Sequence, residues 1–353
     1  MIAKVGFCTF LLLWAALAAV GQSRRESLKK CVATDPDTII AGCTELIQAG
    51  REKTASLVGA YKRRGSAYIY KGDSDRAIQD YNEAIRLNHN DAYAYGGRAT
   101  AYGVKGDFDR VIQDCDSAIR LSPNIAMAYV DRGVAYCAKG DYDRAIEDYD
   151  DAIRLDPKGA LAYYSRGNAY IEMGDYGRAI NDLNEAIRLN PKFTGAYENR
   201  GDAYLFQSNL ASAIEDFEHV MSSAPSSGEA LYAALMLHVA VKRQGRDDAQ
   251  QLETVAAAAD LSKWPGPVLK LDLGHITADE VMAAAANADV YTQKRQICGA
   301  NYFTGEDALL HNQQATAMAH FEAARDGCPN GSIGYAEALA ELRRLSAPVP
   351  PAK

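Results

Sequence analysis

The sequence is short of basic charge. It holds 38 Lys and Arg against 46 Asp and Glu, for a net charge of −8. That sign does not suit a phosphate backbone, so nucleic acid is not an expected partner. Cys-x-x-Cys is absent, and no cysteine has basic neighbours that would lower its pKa, which argues against redox chemistry. The six histidines, at 89, 219, 238, 275, 311 and 320, include no helix-face pair with a glutamate as zinc proteases use, so no metal is expected. His311 and His320 flank a turn and could meet only by chance. No Gly-x-Gly-x-x-Gly or P-loop spacing occurs, and no Ser/His/Asp set sits in a strand–turn–helix context. The Asp-x-Asp pairs at 73/75, 107/109 and 141/143 lack the remaining ligands of a calcium loop and suit helix capping. No catalytic residue and no cofactor is therefore expected. No Gly/Ser, Gln/Asn or Pro tract breaks the middle of the chain; only residues 346–353, SAPVPPAK, read as a disordered tail.

What the chain does have begins at its N-terminus. Lys4 precedes an uncharged apolar run from Val5 to Val20, with small residues at Ala16–Ala18 and Ala19–Gly21. The run is short for a membrane span and suits the core of a secretory signal, which we assign to residues 1–21. An uncleaved anchor is the alternative. Cys8 lies inside the apolar run and no cysteine follows the small residues, so lipidation is not indicated. The expected location is secreted or periplasmic, with no membrane span after cleavage.

The chain also aligns with itself. Tyr61, Tyr95, Tyr129, Tyr163 and Tyr197 are each 34 apart, and so are Tyr68, Tyr102, Tyr136, Tyr170 and Tyr204. GDYDRAIEDYDDAIRLDP at 140–157 returns with changes at 72–89, 106–123, 174–191 and 208–225. Each unit reads as two helices. Gly-Asp separates them, the glycine ending the first and the aspartate capping the second. Ala145, Ile146, Tyr149, Ala152 and Ile153 form an apolar stripe of helical period on the second helix. Gly65, Gly133, Gly167 and Gly201 are expected to face Ala77, Ala145, Ala179 and Ala213, bringing the helices close.

This aromatic–Gly–Tyr–Gly-Asp–Ala–aromatic–Ala–Pro pattern resembles the tetratricopeptide repeat. The resemblance covers five units in 58–227 and implies an all-α solenoid of antiparallel helix pairs, a superhelix with no sheet, whose first helices line a concave groove. A front hairpin at 22–57, bent at Asp35-Pro36, precedes them. Weaker repeats follow over 228–345. They end in an amphipathic capping helix at 332–345, and the loop near 260–267 is the expected internal boundary. Signal, repeat array and terminal cysteines together resemble exported bacterial adaptor proteins of this family.

Setting Cys8 aside leaves six of seven cysteines, an even number in an exported chain. In an antiparallel hairpin, residues equidistant from the turn lie opposite each other. Cys31 and Cys43 are centred on 37, beside Asp35-Pro36, and Cys298 and Cys328 on 313, beside Asn312. Both pairs suit disulfides. Cys115 and Cys137 are centred near Pro123, but Cys115 fills a core aromatic position, so buried free thiols are expected there.

The most regular polar feature pairs Arg64, Arg98, Arg132, Arg166 and Arg200 of the first helices with Asp80, Asp114, Asp148, Asp182 and Asp216 of the second. A ligand would hardly need five identical sites, so structural ion pairs within or between repeats are expected. The candidate partner-binding groove comprises Lys62, Ser66, Tyr70, Tyr93, Val130, Val134, Tyr164, Asn168, Glu172, Asn199, Asp202 and Phe206. Rings and aliphatics mixed with amides suit an extended peptide or a partner helix. The Lys/Asn clamp with which some family members hold a peptide carboxylate is not kept. The chain's own C-terminal repeats could instead fill the groove. The expected function is a non-catalytic scaffold or adaptor for a protein or peptide ligand, with no bearing on oligomeric state. The alternatives are a cell-envelope enzyme or enzyme regulator with its site in the divergent C-terminal region, and a purely structural array.

Overall fold

A computed structural model describes residues 22–223, 228–286, 290–328 and 334–346. The expected signal at 1–21 and residues 347–353 of the expected tail lie outside them; Ser346 closes the last helix. Among the described residues the chain forms helices and no strand. Packing divides it into two compact units, one up to Ala135 and one from Tyr136 on. That division falls within the repeats and not at 260–267, because Leu261 and Trp264 pack onto the same core as Phe217, Leu269 and Phe321.

The first unit contains α1 (22–31), α2 (Pro36–Ala49), α3 (Thr54–Tyr70), α4 (Ser74–Leu87), α5 (Ala92–Val104), α6 (Phe108–Leu121) and most of α7 (Ala126–Ala138). The second contains α8 (Tyr142–Leu155), α9 (Ala160–Met173), α10 (Tyr176–Leu189), α11 (Thr194–Phe206) and α12 (Leu210–Ser223). The divergent region adds α13 (Gly228–Arg243), α14 (Ala249–Ala258), α15 (Gly266–Asp272), α16 (Ala278–Ala285), α17 (Val290–Leu310), α18 (Gln314–Gly327) and α19 (Tyr335–Ser346).

Each hairpin turn follows from two residues. Gly72, Gly106, Gly140 and Gly174 take φ of 76°, 72°, 78° and 79°, a left-handed conformation that favours glycine. The aspartate after each accepts from the backbone N–H three residues on, as Asp73 does from Arg76. The fifth repeat makes the same turn with Ser208 at φ 61° and Asn209 as the cap, and the last repeat turns at Asn312, φ 58°.

The glycines inside the first helices meet something larger than the alanines expected from sequence. A Cβ on Gly65 would stand 3.0 Å from the Tyr81 ring, and one on Gly201 2.7 Å from Phe217. In the last repeat a Cβ on Gly305 would stand 2.5 Å from Phe321, and in the fourth Gly167 faces Leu183. Each glycine therefore receives the bulky core side chain of its partner helix, and Tyr81, Leu183, Phe217 and Phe321 are almost fully buried. Gly97 explains the double glycine of the second repeat: it gives room to the Tyr81 ring arriving from the repeat before.

Arg64 donates to both carboxylate oxygens of Asp80, at 2.8 and 2.7 Å, and its third nitrogen reaches Thr44. Arg98, Arg166 and Arg200 hold Asp114, Asp182 and Asp216 in the same fork. They reach back to Asn82, Asp150 and Asn184. Arg132 reaches back to Asp116, and Asp148 is buried. A second set of arginines lies over the second tyrosine of the first four repeats, such as Arg178 over Tyr170 at 4.3 Å.

Disulfides join Cys31 to Cys43 and Cys298 to Cys328, with Cα separations of 4.6 and 5.6 Å. Cys115 is free and buried and Cys137 is free and half-buried. Burial pushes the Cys137 thiol up to about 11 and raises that of Cys115 further.

Two measurements check this framework. Peptide mapping without reduction should recover the pairs 31–43 and 298–328, with Cys115 and Cys137 alkylated only after unfolding. Any other pairing contradicts the hairpin geometry. Asp182→Ala should cost about 1–3 kcal/mol, since it removes two charge-assisted bonds while Arg166 keeps Asp150. A urea midpoint unchanged from wild type would show that the fork does not carry stability.

Candidate functional site

The first-helix face differs between the two units. In the first it is open. Tyr70 is 82% exposed, Tyr93 69%, Val104 59%, Met127 50% and Val134 46%. Lys62 reaches Asp91 at 2.7 Å and stands 5.7 Å from the Tyr93 ring. Ser66 bonds the Tyr81 hydroxyl at 2.8 Å. Val130, placed in the groove from sequence, is only 4% exposed and joins the core instead. Val104 and Met127, not singled out from sequence, take part in this surface.

In the second unit the same face carries α19. Ala336 packs onto the core shared by Tyr164, Tyr170, Tyr176 and Phe206. The Arg343 guanidinium presses on Gly174, where no side chain intervenes, and bonds Tyr176. Arg243 of α13 bridges Glu306 of α17 and Glu341 of α19, both at 2.7 Å, which fixes the helix from its other side. The expected capping helix, α19, thus folds back along α11 as well as packing on α17 and α18, instead of only capping the end. Its third and seventh positions explain why: on YAEALAELRRL, Glu337 and Glu341 are one turn apart and 6% and 1% exposed. Two carboxylates on the apolar side of an amphipathic helix are the one sequence signal that could have pointed to this.

The remaining predicted groove residues lie beneath or beside α19. Asn199 donates to the Tyr164 hydroxyl at 3.3 Å and to Asn168. Glu337 lies near enough to both Glu172 and Asp202 to repel their charges, with Tyr142, Glu198, Tyr232 and Tyr335 around them. Glu337 accepts from the Tyr232 hydroxyl at 2.8 Å and from the Gly334 N–H at 2.7 Å. One oxygen each of Glu172 and Asp202 is buried without a hydrogen bond. Burial, and then the charge of Glu337, pushes the Glu172 carboxyl up to about 8. Burial raises Asp202 and Glu337 as well. Glu172 therefore holds its proton at neutral pH where the helix is seated, and a free carboxyl would not.

A carboxyl with a raised folded pKa favours the seated state fully below its free value. That contribution falls as pH rises and is gone above the folded value. For Glu172 the loss runs from about 4.5 to about 8. Hydrogen exchange of residues 335–346, corrected for intrinsic rates, should show more protection at pH 6 than at pH 9. Glu172→Gln should flatten that dependence. Equal protection at both pH values would contradict the buried acid cluster as a determinant of docking.

Elsewhere His238 Nδ1 lies 2.9 Å from Asp248 Oδ1, both side chains 5% exposed, and ties α13 to the start of α14. Sealed from solvent, the pair is an internal tie. His311 turns to Asp307 and His320 to Asn301. Among the described residues no helix is long and apolar enough to cross a membrane.

Family profiles described as TPR repeat match residues 133–174 and 167–208, and profiles described as tetratricopeptide repeat match 58–91 and 194–227. No curated protein sequence matches the chain. Among solved structures, PilW, a type IV pilus biogenesis factor, is similar over 57% of this chain and 91% of its own, at 18% identity and a TM-score of 0.52. MamA is 27% identical over 46% of this chain and 94% of its own, with a TM-score of 0.41. YrrB, a TPR protein with an unusual peptide-binding site, is 20% identical over 54% of this chain and 97% of its own, with a TM-score of 0.41. Repeat period, capped glycine turns and paired helices agree with these profiles, and residues 58–91 and 133–227 of the chain are tetratricopeptide repeats.

Proposed function

We propose that the protein is an exported, non-catalytic adaptor that binds a segment of a partner protein along the open first-helix face of its first unit. The observation that carries this reading is the run of exposed rings and aliphatics on α3, α5 and α7: Tyr70, Tyr93, Val104, Met127 and Val134. Isolated apolar side chains are ordinary on a surface, but several on successive helices of one face form a strip that water solvates poorly. Lys62, paired with Asp91 at 2.7 Å, places a polar group at the margin of this strip. Such a strip suits an extended peptide or one side of an amphipathic helix, with alternate or every third to fourth side chain buried. Export is supported by the apolar N-terminal run and by two disulfides, which persist in oxidising compartments.

Photocrosslinking tests the surface directly. A photoreactive phenylalanine analogue at position 70 or 93 should capture a partner from envelope extract that the same analogue at the exposed second-helix position 120 does not. With the partner purified, Tyr70→Ala/Tyr93→Ala should weaken binding at least tenfold, since truncating buried aromatic anchors at an interface costs about 2 kcal/mol or more. Capture equal at 93 and 120, or unchanged binding by the double variant, would remove the open face as the binding surface.

A further inference from the structure

Asp80, Asp114, Asp182 and Asp216 are buried, and an arginine fork grips each of them. The buried Glu306 and Glu341 share Arg243. The seat of α19 departs from that pattern. Glu172 of α9 and Asp202 of α11 stand on first helices of successive repeats, and both feel the charge of Glu337. The other charge that reaches Asp202 is that of Glu198, again an acid. Asp202 is only 7% exposed, and its Oδ1 is buried without a hydrogen bond, as is Oε2 of Glu172. Burying an acid without a partner is costly, and a hydrogen-bonded cation offsets that cost. Glu337 does the reverse, since it brings a third acid to the first two. The walls of the seat accept a particular helix side. Tyr164, Tyr176 and Phe206 surround the place where Ala336 packs. Ala338 and Ala340 are buried, so α19 approaches through small side chains.

We propose that the seat of α19 is a second binding site, for a helix of a partner protein with small residues on one side and a lysine or arginine where α19 carries Glu337. On this reading α19 is a resident occupant that the partner displaces. Charge complementarity selects the ligand. An incoming cation meets Glu172 and Asp202, whose unbonded oxygens give it two acceptors. It also ends the repulsion that Glu337 imposes on both. The ionised carboxylates that α19 disfavours are the forms this ligand uses, so the two occupants compete for differently charged states of one groove. The alanines of α19 show that a small-residue side reaches the rings closely enough to pack. The site lies wholly in the second unit and uses no residue of the open face in the first, so either can fail without the other.

Labelled peptides of residues 335–346 test this on the full-length protein by fluorescence anisotropy. The peptide carrying Glu337→Lys should bind saturably at neutral pH. A control of equal net charge, carrying Glu337→Gln and Ser346→Lys, should bind at least about tenfold more weakly, because Ser346 is exposed in the seated helix. As the first peptide saturates, hydrogen exchange of the protein's own residues 335–346 should accelerate, since α19 has left its seat. Glu172→Gln/Asp202→Asn should weaken the lysine peptide about tenfold with helicity unchanged. If that variant does not fold, the comparison of the two peptides decides. No saturable binding of the lysine peptide overturns the proposal. So does equal binding of the control, unchanged affinity in the folded double variant, or binding that leaves α19 as protected as before.

Discussion

The fold depends on how closely two helices of one repeat can approach. A glycine in the first helix receives the face of a large side chain from the second, as Gly65 receives Tyr81 and Gly201 receives Phe217. That contact sets the hairpin spacing at a value a Cβ would not permit. Where that side chain is a ring, as Tyr81, Phe217 and Phe321 are, it reaches almost no solvent and buries most of an aromatic side chain. Once the spacing is set, the arginine of the first helix stands opposite the aspartate of the second and can fork onto it. The left-handed glycine and capping aspartate close the turn at the same distance. The second repeat keeps the fork and the turn with Ala99 in the glycine's place, where the smaller Cys115 stands in for the ring.

The functional surfaces are by-products of that spacing. First helices packed at a fixed interval present one face in common, and the side chains on it are free to vary because the core does not use them. In the first unit they are rings and aliphatics open to water. In the second they are acids and amides beneath α19. The second arrangement places carboxylates where charge is costly, and their proton affinity becomes part of how the terminal helix is held.

Much of this could be read from the residues. Period, turns and caps depend on neighbours a few positions apart, and the cysteine pairs follow from distance to a turn, so local rules suffice. The seat of α19 was not legible in the same way. Tyr232 and Glu337 are 105 positions apart and belong to no repeating pattern, so nothing in the register couples them. Val130 is aliphatic like its exposed neighbour Val134, and composition cannot separate the two. Gly97 has no glycine counterpart in the other repeats, and the ring it accommodates belongs to the preceding one, so the repeat pattern could not assign it.

The forked arginines have one more consequence. Each uses two nitrogens inside its own repeat and a third on the helix before it. The residues it meets there, Asn82, Asp116, Asp150 and Asn184, recur at one interval and offer the same acceptor. The arginine contacts across these seams are therefore interchangeable, and a gene that gained or lost one such unit would keep them. The exception is the seam at Gly97, which admits the Tyr81 ring and has Asp131, Ser165 and Asn199 as its counterparts in later repeats.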